Sequence, residues 1–333
     1  MYKCEIIADS LSPQSDRLTS FLVTYPRIVH AEMLRHRMFS RNVASSRAIP
    51  FKKMVKDIEE NPFIPIAWQK DHKGMQGNEY ITNNDSVISY WLEAIDQAVR
   101  YAKILNQSIN AGVTKQLCNR LLEPFMWVTE LITGTHFENF FKLRCPIYGD
   151  SAYGLDKCST VFKSKKDYCK HFNIEENYQT NLQWFSHNYS QAEIHIQQIA
   201  EMMWDAYNES EPKKLESGQW HIPYGDNMDE SLLNKTIDHT GYYGTIEGYN
   251  DFRVHGIVKI ATARCARLSY TTLGDEPKID YEADIKLHDK LLADNHMSPF
   301  EHCARVMSLD TRGWCNNFKG FIQYRHLIEN ERQ

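Results

Sequence analysis

The sequence lacks a long hydrophobic run. Within its 333 residues, no apolar stretch approaches the roughly 20 residues that a helix needs to cross a bilayer. No apolar leader precedes the first charged residues, Lys3 and Glu5. We therefore expect a soluble protein located in the cytoplasm, with no membrane partner.

A cysteine framework is also missing. The eight cysteines are scattered without short spacings, which excludes a secreted disulfide scaffold and favours free thiols in a reducing compartment. Cys145, Cys158, Cys169 and His171 share one segment, but they are too widely spaced for the short knuckles of a zinc site. We expect no metal.

The chain has no excess of positive charge. Its formal net charge is −5, so an overall basic surface for nucleic acid is excluded, although local basic clusters remain possible. We expect no nucleic-acid partner. Low-complexity tracts and solenoid-length repeats are absent too, and the length allows one large domain or two.

The patterns that are present predict a mixture of strands and helices. β-branched and aromatic runs predict strands at residues 3–8, 18–25 and 303–309. Helical spacing of apolar residues predicts helices at 51–58, 86–105, 113–132, 135–144, 190–206, 254–270, 281–295 and 318–331. Three polar or irregular segments, 60–85, 145–187 and 210–252, are interpreted as insertions.

The most distinctive stretch is residues 34–47, LRHRMFSRNVASSR, which we call the arginine loop. It contains four arginines and one histidine, with serines and an asparagine between them, and it follows a predicted strand and a short helix from Pro26. Fixed cations, hydroxyls and backbone amides at one turn suit a phosphate-bearing ligand. The alternative is a solvated basic turn.

Three further segments carry polar side chains that a plain core does not need. They are 139–144 (NFFKLR), 191–193 (QAE) and 296–302 (HMSPFEH). Residues of the first and last segments have simpler interpretations: Glu301 as a surface acid, His296 and His302 as satisfied interior or surface histidines, and Arg144 as the partner of an acid such as Asp150.

Together, these segments resemble the flavin-dependent thymidylate synthase family. That family carries Arg-His-Arg, seven intervening residues and Ser, which Arg35-His36-Arg37 and Ser45 match without a gap. Residues 296–302 resemble its His-x-(Ser/Thr)-Pro-Phe-Glu-His segment. Four further segments resemble family patterns. Residues 266–270 (ARLSY) resemble Ala-Arg-Val-Ser, and residues 119–124 (NRLLEP) resemble Ala-Arg-x-x-Leu-Pro. Residues 139–144 (NFFKLR) resemble Asn-Phe-Leu-x-Leu-Arg, and residues 190–194 (SQAEI) resemble Ala-Gln-x-Glu-Ile.

The order of the segments differs from that of typical members. In those, the His-x-Ser-Pro-Phe-Glu-His segment precedes the Arg-His-Arg loop, whereas here it lies near the C-terminus. The chain therefore resembles a circularly permuted, phage-type relative, which would act in the host cytoplasm. We interpret residues 1–333 as a single catalytic domain with the three insertions.

The resemblance implies an α+β fold, a curved and mostly antiparallel sheet flanked by long helices, and a homotetramer. It implies a methyltransferase that makes dTMP from dUMP, with FAD as cofactor and methylenetetrahydrofolate and NADPH as cosubstrates. One alternative is C5 modification of another pyrimidine nucleotide, or transfer of a hydroxymethyl group. A second is a non-catalytic nucleotide- or nucleic-acid-binding relative.

The family's site residues carry over by position. FAD would be held by Arg35, His36, Arg37, Asn139, Ser269, Ser298 and Glu301. The nucleotide would be held by Glu32, Arg35, Ser45, Ser46, Arg47, Arg120 and Arg144. The catalytic set would be Arg144, Ser45 and His296, with Arg144 stabilising negative charge on the pyrimidine ring. This chemistry needs no cysteine nucleophile.

Four positions depart from the family pattern. Val43 stands where a glutamate is usual, and Glu32 stands where a glutamine is usual. An Asn-x-Arg pair that lies against the flavin in familiar members falls on Thr133 and Thr135. These positions touch nucleotide and flavin contacts, and they motivate the alternative substrates.

Overall fold

The computed structural model describes residues 1–73, 77, 79–107, 112–150, 155–226, 228–240, 252–268 and 279–331. The predicted α+β class is confirmed: an antiparallel-dominated sheet is covered by helices. Among these residues, no helix is both long and apolar enough to cross a bilayer.

The strands divide into one main sheet and three small ones. The strands of the described residues are β1 (Lys3–Leu11), β2 (Arg17–Pro26), β3 (Ser40–Val43), β4 (Trp127–Gly134), β5 (Tyr148–Gly149), β6 (Val161–Phe162), β7 (Lys213–Lys214), β8 (Trp220–His221), β9 (Ala304–Val306), β10 (Trp314–Cys315), β11 (Phe318–Lys319) and β12 (Phe321–Gln323). The main sheet has the order β3-β4-β2-β1-β7, antiparallel except for the β1–β7 pair.

Helices connect these strands. Those of the described residues are α1 (His30–Met33), α2 (Phe51–Glu60), α3 (Asp85–Asn106), α4 (Lys115–Arg120), α5 (Glu138–Arg144), α6 (Lys165–Phe172), α7 (Asn181–Ser186), α8 (Ile194–Glu209), α9 (Glu230–Thr240), α10 (Phe252–Arg267), α11 (Tyr281–Ala293) and α12 (Tyr324–Glu331). A single 3₁₀ turn, Ser298–Glu301, precedes β9.

The main sheet is covered on both faces, which explains why β2 is buried almost without alternation. On one face, side chains of β2 and β4 such as Phe21 and Ile132 pack with Phe140 of α5 and Ile199 of α8. On the other face, β4 packs against the end of α10 through Leu131. The sheet is therefore a rigid platform between two helical layers.

The helix predicted over 113–132 is wrong. Only Lys115–Arg120 is α-helical, a 3₁₀ turn follows at Glu123–Phe125, and residues from Trp127 form the central strand β4. Pro124 ends the helical spacing, and the following WVTELIT run is rich in β-branched residues and pairs along its whole length with β2.

The helix predicted over 318–331 is only partly right. Residues from Tyr324 onwards form α12, whereas the preceding residues form β11 and β12, with Gly320 between them at φ +75°. The segments interpreted as insertions also contain regular structure. Residues 145–187 include the β5–β6 pair with α6 and α7, and residues 210–252 include α9.

Candidate functional site

The arginine loop begins where α1 ends and leads into β3. Backbone hydrogen bonds from Leu34 to His30 and from His36 to Met33 close a tight turn. The turn buries His36, whose ring stacks on Phe39 and meets the ring of Phe140 edge-on. Because His36 faces inward, its neighbours Arg35 and Arg37 are exposed. Two cations therefore flank one buried imidazole.

The last residue of α5, Arg144, joins this turn from across the fold. Its Nε donates to Nε2 of His36 over 3.1 Å, and its Nη1 donates to Oε2 of Glu32 over 3.1 Å. The alternative pairing of Arg144 with Asp150 is wrong, because Asp150 accepts from the backbone amides of Ser159 and Thr160. Three residues selected from two separate motifs thus meet in one cluster.

Burial sets the protonation states of this cluster. Burial, together with the charges of Arg144 and Arg41, lowers the pKa of His36 to about 4. Since Nε2 accepts a hydrogen bond, the ring is neutral and carries its proton on Nδ1. Burial raises the pKa of Glu32; Arg144 opposes this shift, whereas the nearby carboxylate of Glu193 adds to it.

The second half of the loop rests on α4. The side chain of Asn119 donates to the carbonyls of Ser46 and Ile49 over 2.6 and 3.0 Å. Arg47 donates from Nε to Oε1 of Gln116 over 3.1 Å. Arg120 follows Gln116 by four residues, so both lie on one helix face. Arg47 in the loop and Arg120 on α4 are both exposed cations.

The two serines of this half are placed differently. Ser45 is half-buried at the start of the turn, and its carbonyl accepts from the amide of Ala48 over 2.9 Å. Ser46 is buried, and its hydroxyl donates to the carboxylate of Glu123. Of the two, Ser45 is the more accessible to a ligand.

The C-terminal motif, residues 296–302, lies against β3. The 3₁₀ turn Ser298–Glu301 packs beside β3, and Gln323 donates to the hydroxyl of Ser40 over 3.1 Å. Asn42 donates to the carbonyl of Cys265 over 3.1 Å, which brings the end of α10 to the same strand. The predicted flavin contact Ser269 lies outside the described residues.

The polar residues of the C-terminal motif have distinct surroundings. His296 and Ser298 are exposed. Glu301 is not an isolated surface acid, because it is half-buried and accepts from Arg325 over 2.6 Å. His302 is fully buried, as the interior alternative predicted.

The remaining motif segments border the cluster. Asn139 is exposed at the start of α5, the helix that ends at Arg144. Glu193 caps α8 by accepting from the amides of His195 and Ile196. It also lines a polar cavity of about 300 Å³ with Gln191 and neighbouring residues. Segments 119–124, 139–144 and 296–302 therefore contact the arginine loop.

The two threonines that replace the family's flavin-facing pair are engaged internally. Thr133 is fully buried, and its hydroxyl lies 2.6 Å from that of Ser20 and 2.8 Å from Nδ1 of His302. Thr135 accepts from the amide of Lys319 over 3.2 Å. Both hydroxyls are therefore hydrogen-bonded within the fold.

Sequence reasoning missed Glu130. It lies directly opposite Val43 in the β3–β4 register, so an acid occurs on the neighbouring strand at the point where one was expected on β3. Its side chain is fully buried. The available signal was a lone acid within an apolar run, since buried acids are rare unless paired.

No cluster of three or more histidine, cysteine or acidic side chains that could hold a metal ion occurs in the described part of the chain. Cys145, one of the cysteines considered for zinc, is buried, and its thiol donates to the carbonyl of Ala200.

No protein-family model and no curated protein matches the chain. Among solved structures, the chain is similar to two crystal structures of a UMP/dUMP methylase, PolB, from Streptomyces cacaoi, one bound with 5-Br UMP and one with 5-Br dUMP. The sequence identities are 16% and 14%, and the TM-score is 0.41 for both. The alignments cover 63% of this chain and 89% and 90% of those chains. Similarity at this level assigns no activity to this chain.

Proposed function

We propose that this chain is a flavin-dependent thymidylate synthase with permuted motif order, which methylates dUMP at C5 to give dTMP. Its cosubstrates would be methylenetetrahydrofolate and NADPH, and its cofactor FAD. One observation carries the proposal: Arg144 hydrogen-bonds both His36 and Glu32, so motifs more than 100 residues apart in sequence form one polar cluster.

The charges of the site suit a nucleoside monophosphate. Arg47, which contacts Gln116 of α4, and Arg120 of the same helix are exposed and can bind the phosphate, because guanidinium groups match phosphate geometry. Arg144 would lie at the pyrimidine ring. It is held by two partners, so its charge is already oriented toward the place where negative charge develops on the ring.

The residues present fit the anionic part of FAD. Arg35 and Arg37 are exposed on either side of His36 and can bind a diphosphate, with Asn139 and Ser298 also accessible. The carboxylate of Glu301, another expected FAD contact, also accepts a hydrogen bond from Arg325. When bound in its reduced form, the flavin would supply the hydride that a methyl product requires.

The cysteines favour a route without a thiolate nucleophile. Burial raises the pKa of Cys4 to about 12 and that of Cys303 to about 12. A thiol with such a pKa is almost entirely protonated at neutral pH. These raised pKa values agree with a mechanism in which Arg144 stabilises charge on the ring and these two thiols make no covalent attack.

Product analysis tests the proposal. Purified protein is incubated with dUMP, methylenetetrahydrofolate and chemically reduced FAD, and the nucleotide product is identified by mass spectrometry. We expect dTMP, and we expect none when reduced FAD is omitted. Failure to form any C5-substituted nucleotide under these conditions would contradict the proposal.

Hydroxymethyl transfer is the second candidate. It is favoured by Thr133 and Thr135, whose hydroxyls are used inside the fold rather than toward a flavin. In that reaction, water supplies the hydroxyl of the new group and no hydride is consumed. The same incubation separates the two, because 5-hydroxymethyl-dUMP would form without reduced FAD.

Oligomeric state is a separate part of the proposal. The resemblance implies a homotetramer, and light scattering of the purified chain measures its mass directly. A tetramer is the expected result.

A further inference from the structure

The carboxylate of Glu130 lies beneath the arginine loop and is inaccessible to solvent. Tyr25 of β2 donates a hydrogen bond to its Oε2, and Arg41 of β3 lies 3.6 Å from its Oε1. Neither Oε1 of Glu130 nor Nε of Arg41 has a hydrogen-bond partner among the described residues. A buried ionisable pair with unsatisfied polar atoms is costly to maintain, so this pair calls for a role.

Glu130 is linked to the turn at residues 30–36 by two sets of contacts, which we call the two arms of its network. The first arm passes through Arg41 to the end of this turn. Its Nη2 donates to the carbonyl of Met33 over 2.7 Å and also to the carbonyl of His36. Its Nη1 lies 3.4 Å from the carbonyl of Leu34. The guanidinium therefore holds the backbone that carries His36.

The second arm runs through Tyr25 to the start of the same turn. The hydroxyl of Tyr25 lies 2.7 Å from Nδ1 of His30, the first residue of α1. Nδ1 of His30 is 3.9 Å from Oε2 of Glu130. Both arms end on residues 30–36, the segment that presents Glu32 and His36 to Arg144.

We propose that Glu130 is a positioning residue for the candidate site: through Arg41 and through Tyr25 and His30, it fixes both ends of the turn that Arg144 contacts. It does not touch the ligand itself. The proposal rests on the proposed function only in placing a pyrimidine nucleotide at Arg144.

The register explains how the chain can function with Val43. A carboxylate is absent from position 43, but Val43 is paired with Glu130, whose carboxylate reaches the neighbouring side chain Arg41 on β3. Residues directly opposite in an antiparallel pair lie on the same face of the sheet. The acid beside the loop therefore comes from β4, and it supports the loop from below.

The test uses Glu130→Gln together with the double variant Glu130→Gln/Arg41→Gln. The single variant leaves the Arg41 charge buried without its partner and is expected to be less stable in urea. The double variant removes both charges and should recover much of that stability. It still lacks the guanidinium that binds the carbonyls of Met33 and His36.

Two readouts are measured on both variants. The first is the pKa of His36, followed by NMR of ring-labelled histidine in the absence of ligand. We expect it to rise from about 4 toward its ordinary value in the single variant, because the contact with Arg144 and the burial are loosened. It should rise further in the double variant, which also lacks the charge of Arg41. The second is the Kd for dUMP, which should increase about tenfold or more, since small misplacements of a site cost that much.

A second, partly buried ion pair in the same sheet serves as the control. Asp9 of β1 accepts from Arg17 of β2 over 2.6 Å, and Arg17 also donates to the carbonyl of Tyr207 over 2.7 Å. Asp9→Asn/Arg17→Gln removes an equivalent network away from the arginine loop. It should change stability but leave the His36 pKa and the Kd for dUMP as they are.

The outcomes separate the two proposals. A double variant that recovers stability and also keeps the wild-type His36 pKa would overturn the positioning role. If the His36 pKa shifts as expected while wild-type protein binds no pyrimidine nucleotide, the positioning of the turn stands and the proposed function fails. If the His36 pKa shifts but the Kd for dUMP is unchanged, positioning for the nucleotide is overturned.

Discussion

The guanidinium of Arg144 donates from Nε to Nε2 of His36 over 3.1 Å. This bond requires a neutral imidazole, and the pKa of His36, lowered to about 4 by burial, keeps the ring neutral at physiological pH. Glu32 holds the other end of the same guanidinium. Arg144 is therefore preorganised by His36 of the arginine loop and by Glu32 of α1 before any ligand arrives.

Replacing Arg144 by alanine should reduce turnover of dUMP by about 100-fold or more, because a preorganised charge at the ring is lost. FAD should remain bound, since Arg144 is not among its expected contacts. Flavin absorbance of the purified variant and its initial rate measure both. Arg144→Lys keeps the charge but not the planar fork, so it should rescue only part of the rate. Loss of flavin together with activity would contradict the assigned role.

Replacing Glu32 by glutamine should strengthen dUMP binding several-fold. The ionised carboxylate pairs with Arg144 at 3.1 Å, so a nucleotide must share that guanidinium. The folded pKa of Glu32 is raised by burial, and wild-type affinity should fall as pH rises through it and the carboxylate ionises. Calorimetric titrations across this range measure the effect. The variant should lack that change, and weaker binding by Glu32→Gln would sink the idea.

Replacing Arg47 or Arg120 by alanine should weaken dUMP binding by about tenfold, the value of about one charged hydrogen bond. Binding of deoxyuridine, which has no phosphate, should change little. Lys115→Ala provides the control, because Lys115 lies on the same helix and its Nζ donates to the carbonyl of Ala48. Equal losses for nucleotide and nucleoside would show that these arginines do not bind the phosphate.

Replacing His302 by leucine should remove part of the acid sensitivity of the fold. Burial lowers the pKa of His302 from 6.5 to about 3, so the unfolded chain binds the proton more tightly. The stability contributed by the neutral ring is complete above pH 6.5 and decreases as pH falls below it. The decrease amounts to about 3 kcal/mol between pH 6.5 and 4.

Urea unfolding of both proteins across that range measures the slope attributable to His302. The comparison uses the difference in the free energy of unfolding between wild type and variant at each pH. This difference is needed because the raised pKa values of Glu130 and Glu201, each about 7, make the fold more stable as pH falls, opposite to the effect of His302. Parallel curves for wild type and His302→Leu would contradict the prediction.

Local sequence patterns predict correctly the strands and helices whose tertiary surroundings do not override their local preference. The β1 and β2 strands and helices α3, α8 and α11 were all predicted within a few residues of their observed ends. β4 was mistaken for a helix because a short apolar run that is buried on both faces has no distinguishing period. The same mistake hid Glu130, since an acid in a helix suggests a surface position.

The motifs predict which residues form the site, but they do not predict the hydrogen bonds between those residues. The motifs identified Arg144, His36 and Glu32 individually, whereas their hydrogen bonds depend on how α5 docks on the sheet. Arg144 and Glu32 are 112 residues apart, and no local rule pairs them. The internal use of the Thr133 hydroxyl likewise required the positions of Ser20 and His302.

Release of tritium from dUMP labelled at C5 tests the central claim most directly, because methyl and hydroxymethyl transfer both remove that hydrogen. The assay combines the protein with methylenetetrahydrofolate and reduced FAD, and compares wild type with Arg144→Ala. We predict release by wild type and near-background release by the variant. No release by wild type, or equal release by both proteins, would contradict the assignment of C5 chemistry to the Arg144 site.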